Sequence, residues 1–190
     1  MAVSEIAYLG LLALVGAGRL IEMRVSARNQ ARMSAQGIEL VAERHFPWMV
    51  ALHAGVLIAA GLEVVLLRRP LIPALAVIMG ALFLAANGLR WWVMTTMAGH
   101  WNIQVMASTR LGVVKRGPYR WVRHPNYVAV FIELIALPLI HTAWLTALGG
   151  VAGNVWILSR RLAVEERVLA ADPVYRREML SKPRFVPRVF

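Results

Sequence analysis

The chain alternates long apolar runs with short basic ones. Crossing the hydrocarbon of a bilayer takes about 20 helical residues. Three runs in the first half approach that length: Ile6 to Ile21, Trp48 to Leu67 and Leu71 to about Met97. Pro47 precedes the second and Pro73 falls in the first turn of the third, where the missing N–H of proline costs a helix nothing. Gly99 to Pro125 is dense in Arg, Lys, Gly and Pro and cannot cross lipid. Two more apolar runs follow, Tyr127 to Ile140 and Ala143 to Ser159; only His141 and Thr142 lie between them, so they read as a helical hairpin. Arg160 to Ala170 continues the last run as a polar helix, Asp172-Pro173 ends it, and a basic tail follows. The pattern predicts an all-α integral membrane protein with about five transmembrane helices, a polar loop before the fourth and a polar C-terminal helix.

Composition strengthens this picture. Of 190 residues, 59% are hydrophobic and 16% charged, against about half and about a quarter in soluble domains. The first apolar run lacks a basic start and carries Glu5, so it reads as a retained span and not as a cleaved signal. The net charge of +11 would suggest nucleic acid in a soluble protein. Here the basic residues fall between spans. Arg24, Arg28, Arg32 and Arg44 follow the first span; Arg110, Lys115, Arg116, Arg120 and Arg123 follow the third; Arg176, Arg177, Lys182, Arg184 and Arg188 lie in the tail. Five spans with the amino terminus outside place all three groups in the cytoplasm under the positive-inside rule. The expected partners are therefore membrane lipids and no nucleic acid, in a multi-pass membrane protein. With no cysteine, disulfides, thiolate metal sites and a cysteine nucleophile are excluded, and no metal site is expected. Oligomeric state is not legible.

Four ionisable residues fall inside apolar runs or near their ends: His53, Glu63, Arg90 and Glu133. Such groups face protein or a water-filled cavity. For His53 the plain expectation is a hydrogen bond between helices. Glu63 and Arg90 read as interfacial or mutually paired, and Glu133 lies close enough to Tyr127 to approach the polar loop.

That loop, Gly117-Pro118-Tyr119-Arg120-Trp121-Val122-Arg123-His124-Pro125-Asn126-Tyr127, is the most informative segment. Two prolines and a glycine fix its backbone. It crowds three aromatic rings, two arginines and a histidine against the start of a helix. Aromatic faces attract cations and stack on flat heterocycles, and arginine binds carboxylates bidentately. S-adenosylmethionine offers all three targets. An interfacial aromatic belt accounts for the same composition. The second segment is Arg160-Arg161-Leu162-Ala163-Val164-Glu165-Glu166. Arg161 and Glu165 share a helix face, either as a surface ion pair or as a wall closing over the loop, toward which the hairpin returns them.

Together the two segments resemble the isoprenylcysteine carboxyl methyltransferase (ICMT) family of membrane enzymes: GPYRWVRHPNY at Gly117 to Tyr127, then RLAVEE at Arg161 to Glu166, with Arg161 34 positions after Tyr127. The resemblance covers residues 99–190. It implies one membrane methyltransferase domain over 1–190, with three spans in 1–98 and a catalytic region with the helical hairpin in 99–190. It implies S-adenosyl-L-methionine as cofactor, bound by Gln104, by Leu111, Gly112, Val113 and Val114, by Tyr119, by His124, Pro125, Asn126 and Tyr127, and by Glu165. Arg161 matches the arginine at the reacting group of the substrate, and so is both the catalytic and the substrate-binding candidate. Eukaryotic members often carry histidine where this chain has Leu111.

The first half resembles a bacterial subgroup found with type III polyketide synthases, through Arg19-Leu20-Ile21-Glu22, Ser26-Ala27-Arg28-Asn29, Glu43 to Val50 and His53. Those members are similar to O-methyltransferases of alkylpyrones and alkylresorcinols. The expected activity is methylation of a lipophilic acceptor, either the carboxylate of a prenylated cysteine or an acidic hydroxyl of an alkylpyrone or alkylresorcinol. The alternatives are a phospholipid or amine N-methyltransferase and a non-enzymatic transport or assembly protein. A nicotinamide-dependent reductase would need a glycine fingerprint that the chain lacks.

Overall fold

The computed structural model describes residues 1–107 and 112–187 as a bundle of helices. These are α1 (Val3–Ser34), α2 (Phe46–Leu66), α3 (Pro73–Met97), α4 (Pro125–Leu139), α5 (Trp144–Leu169) and a short α6 (Pro173–Met179). A two-residue antiparallel pairing of β1 (Glu39–Leu40) with β2 (Met106–Ala107) ties the loop after α1 to the loop after α3. The mostly helical membrane fold is the one the hydropathy pattern predicts. Three helices, α1, α2 and α3, are long and apolar enough to cross a bilayer. At 15 residues, α4 spans only about 22 Å, short of the roughly 30 Å hydrocarbon core.

Helix α1 extends well past Ile21. Arg24, Arg28 and Arg32, expected in a loop, lie on its last turns. Arg, Ala, Met and Gln are all good helix formers, so the helix leaves the apolar layer without ending. The Glu5 carboxylate accepts from the Ala2 N–H at 2.8 Å, a negative charge at the positive end of the helix. Nor does the chain turn irregular after Asp172. That side chain caps α6, accepting from the N–H groups of Val174 (2.7 Å) and Tyr175 (3.3 Å).

The hairpin of α4 and α5 is the frame on which the site hangs. Gly150 and Gly153 let α5 approach α2 closely, because a Cβ there would lie 2.9 Å from Val56 and 2.7 Å from Leu52. Glu63 does not meet Arg90. It accepts from the N–H of Leu145 and of Thr146 (3.1 and 2.7 Å) and from the Thr146 hydroxyl (2.7 Å), and it pairs with Arg69 at 2.8 Å. A buried carboxylate thus satisfies the amide donors that every helix start leaves open. At the same end, the Tyr8 hydroxyl donates to the Leu137 carbonyl (3.0 Å). Tyr8, Leu12, Ala60, Val64, Phe83, Ala136, Leu137 and Ala143 form the core there.

Midway along the bundle, α1, α3 and α4 are joined by charge. Arg90 pairs with Glu22 (2.8 Å) and Glu133 (3.4 Å), and Arg19 pairs with Glu22 (2.8 Å) and Glu133 (3.2 Å). Two cations and two anions sum to zero, which makes them tolerable in a low-dielectric layer.

Candidate methyl-transfer site

The site begins at Gly117, whose φ of +58° suits glycine alone; a Cβ would also run into the Thr96 side chain. The chain reverses there and forms a 3-10 turn over Gly117–Arg120. Tyr119 is pinned at both ends: its hydroxyl donates to Met97 Sδ (2.9 Å) and its carbonyl accepts from Lys182 Nζ (2.8 Å). The tail then straps the loop down. The N–H groups of Arg123 and His124 donate to the carbonyls of Pro183 (3.0 Å) and Arg184 (2.9 Å). Glu166 on α5 gathers Arg123 (2.9 Å), Arg184 (2.6 Å) and His124 Nε2 (3.3 Å). Burial works to raise the Glu166 carboxyl, but Arg184 and Arg123 hold it below the usual glutamate value. Burial lowers the His124 imidazole, opposed by Glu165 and Glu166.

Pro125 then starts α4 and Tyr127 follows in its first turn. The Tyr127 hydroxyl donates to Glu165 on α5, and its ring packs 5.5 Å from that of His124. Arg161, one turn before Glu165, does not pair with it. It donates to the Ile103 carbonyl and to Met49 Sδ (2.7 Å), lies 3.4 Å from Glu43, and stands over the Tyr127 ring at 5.9 Å. Burial opposes its charge, yet Tyr127 and Glu43 raise its pKa still further, so Arg161 is a permanent buried cation.

Tyr119, His124, Tyr127, Met49, Arg161 and Glu165 border one cavity of about 1040 Å³. Ten sequence-predicted residues line it: Gln104, Gly112, Val113, Val114, Tyr119, His124, Asn126, Tyr127, Arg161 and Glu165. Pro125, the first residue of α4, is fully buried and stands outside its wall. Leu111 lies outside the described residues. Of the three rings in the loop, Trp121 also turns away, under Arg120 (3.7 Å) and edge-on to Trp92. Sequence reasoning missed Glu43, which accepts from the Val105 N–H (2.7 Å) while facing Arg161. It also missed Tyr175 of α6, which lines the cavity with its hydroxyl pushed up to about 12, chiefly by burial. No local pattern marks either residue, because each acts through a distant segment.

The cavity changes character with depth. Its rim is polar and aromatic. Arg19, Glu22, Arg90, Glu133 and His53 border the middle, and Val15, Leu57, Phe83 and Leu137 line the far end. A volume at the upper limit of ordinary ligand sites, roughly 300–1,000 Å³, has room for two molecules. The fold and cavity define a helical membrane protein whose chamber runs from a polar rim to an apolar end. The chain belongs to the isoprenylcysteine carboxyl methyltransferase (ICMT) family, which it matches over residues 76–171, and it is a membrane methyltransferase. It is similar to the uncharacterized protein YpbQ of Bacillus subtilis (strain 168), at 29% identity over 160 residues, covering 84% of this chain and 94% of that protein. Its fold is similar to a solved structure of the eukaryotic intramembrane Ras methyltransferase ICMT. There the TM-score is 0.64 at 19% identity, over 94% of this chain and 67% of that one.

Proposed function

We propose that this protein transfers a methyl group from S-adenosylmethionine to an oxygen of a lipophilic acceptor, with the site at the cytoplasmic face of a bacterial inner membrane. One observation carries the reading: Tyr127, Glu165 and Arg161 share with Val15, Leu57, Phe83 and Leu137 a single cavity that runs from a polar rim to an apolar end. A soluble cofactor and a membrane lipid can meet there without either leaving its own phase.

The donor set fits the cofactor. Asn126 Oδ1 and Asn102 Oδ1 border the cavity, buried and without a hydrogen-bond partner among the described residues, and acceptors so placed suit the amino and hydroxyl groups of a nucleoside. The faces of Tyr119 and Tyr127 and the Glu165 carboxylate suit a cationic centre. Bound S-adenosylmethionine supplies an electrophilic methyl group on a sulfonium. The protein holds and aligns: Glu165 and Tyr127 position the donor end, and Arg161 orients the acceptor oxygen. Bringing two reactants into line is worth several kcal/mol of barrier, and the buried setting favours a reaction in which charge is lost.

Calorimetry on purified protein with S-adenosylmethionine and S-adenosylhomocysteine tests the cofactor. Product masses from long-chain resorcinols, long-chain pyrones, farnesylated N-acetylcysteine and phospholipid amines test the acceptor. No binding of either nucleoside overturns the reading, and methylated amine as the sole product replaces it with N-methylation.

A further inference from the structure

Met49 and His53 lie one turn apart on the face of α2 that lines the cavity. Met49 Sδ receives Arg161 Nη1, so His53 sits about 6 Å deeper along the helix than the level of Arg161. The histidine does not bridge helices, contrary to the sequence expectation. Its Nδ1 donates to the Met49 carbonyl of its own helix at 2.8 Å. That bond fixes the tautomer, because a carbonyl only accepts, and leaves the Nε2 lone pair available. Nε2 makes no hydrogen bond among the described residues. A histidine inside a membrane span is costly to retain, and this one holds no two elements together.

Its surroundings suit proton transfer. The charged or titratable groups that share its chamber include Arg19 and Glu22 from α1, Arg90 from α3, Glu133 and Tyr127 from α4 and Arg161 and Glu165 from α5. Glu22 and Glu133 are balanced by Arg19 and Arg90, and Glu165 accepts from Tyr127, so the charge left to face the acceptor is that of Arg161, which favours an oxyanion on it.

We propose that His53 is the general base of the reaction and serves acceptors whose hydroxyl arrives un-ionised. The inference rests on the methyl-transfer reading above. As the acceptor oxygen forms its bond to the methyl carbon, the methyl–sulfur bond breaks with its electron pair remaining on sulfur. The hydroxyl proton passes to Nε2, and the imidazolium returns it to water once product leaves. A carboxylate acceptor arrives already ionised and needs no such base. General bases contribute about 10²- to 10⁴-fold.

The test compares His53→Gln with wild type on two lipids of equal tail length, an alkylresorcinol that is un-ionised at neutral pH and a 4-hydroxy-2-pyrone that is largely ionised. The expected loss is about 10²-fold or more on the resorcinol and at least tenfold smaller on the pyrone, with cofactor affinity by calorimetry unchanged. The deficit on the resorcinol should shrink as pH rises toward its ionisation, and added imidazole should partly restore a His53→Ala variant. Equal losses on both lipids, or none, overturn the role of His53. Wild-type enzyme that methylates only the carboxylate of farnesylated N-acetylcysteine leaves His53 no proton to accept and overturns its role while leaving methyl transfer intact. Wild-type protein that binds no cofactor overturns methyl transfer itself.

Discussion

The hydroxyl of Tyr127 donates to the carboxylate of Glu165, joining the first turn of α4 to the polar end of α5 across 38 positions of sequence. Both residues line the cavity, so the bond links its two walls. Hydrogen bonds to charged groups contribute about 1.5–3 kcal/mol. Glu165→Ala should therefore weaken S-adenosylmethionine binding about tenfold or more, through the lost carboxylate and the released tyrosine together. Tyr127→Phe should cost less, since the ring stays. A double variant no worse than Glu165→Ala alone, by calorimetry, would show that the two act as a unit.

Arg161 is held by the Ile103 carbonyl, Met49 and Glu43 rather than by the cofactor end of the cavity. Arg161→Lys keeps the charge but loses the planar fork. Turnover should fall about 10²-fold, with cofactor affinity within about twofold of wild type. Glu43→Gln should reproduce part of that loss through misplacement of Arg161, showing as a lower kcat more than a higher KM for acceptor. Wild-type turnover in Arg161→Lys would remove Arg161 from the reaction.

Much of this arrangement was legible in the sequence, and the parts that were not share a cause. Helices α2 to α5 announce themselves through their apolar runs, and prolines mark the starts of α2, α3 and α4. The loop before α4 is readable as a motif because Gly117, the prolines and the rings are adjacent in the chain. Apolar run length could not show that α1 passes Ile21, since polar helix formers continue it outside the lipid. Nor could it show that Trp121 turns outward or that Glu43 reaches Arg161. Side-chain direction is set by what packs alongside, and those partners lie 29 positions before Trp121 in one case and on α5, far along the chain from Glu43, in the other.

The mid-bundle charges give a stability prediction. Removing one member of a buried ion network leaves its partner uncompensated, at about 3–5 kcal/mol, whereas replacing members of both signs with apolar residues is often near neutral. Glu133→Ala strands Arg19 and Arg90 against a single carboxylate. Its melting temperature in detergent should fall well below that of the paired variant Arg90→Met/Glu133→Leu. The opposite order would mean that the network adds nothing to stability beyond packing.

His124 links the loop to acid sensitivity. Burial lowers its pKa below the ordinary 6.5 of histidine, against the raising effect of Glu165 and Glu166. Between the lowered and the ordinary value the unfolded chain binds more protons than the folded one, so stability rises with pH there. The contribution is intact above about 6.5 and is lost as pH falls through the lowered folded value. Below the usual glutamate range Glu166 adds a second loss of the same sign, because its folded pKa is also depressed. Thermal melts of wild type should therefore decline on acidification from pH 7 to 5, and His124→Gln, which cannot titrate, should show a shallower slope over that interval. A slope unchanged by the substitution would place the acid sensitivity elsewhere, since Glu166 titrates only at lower pH.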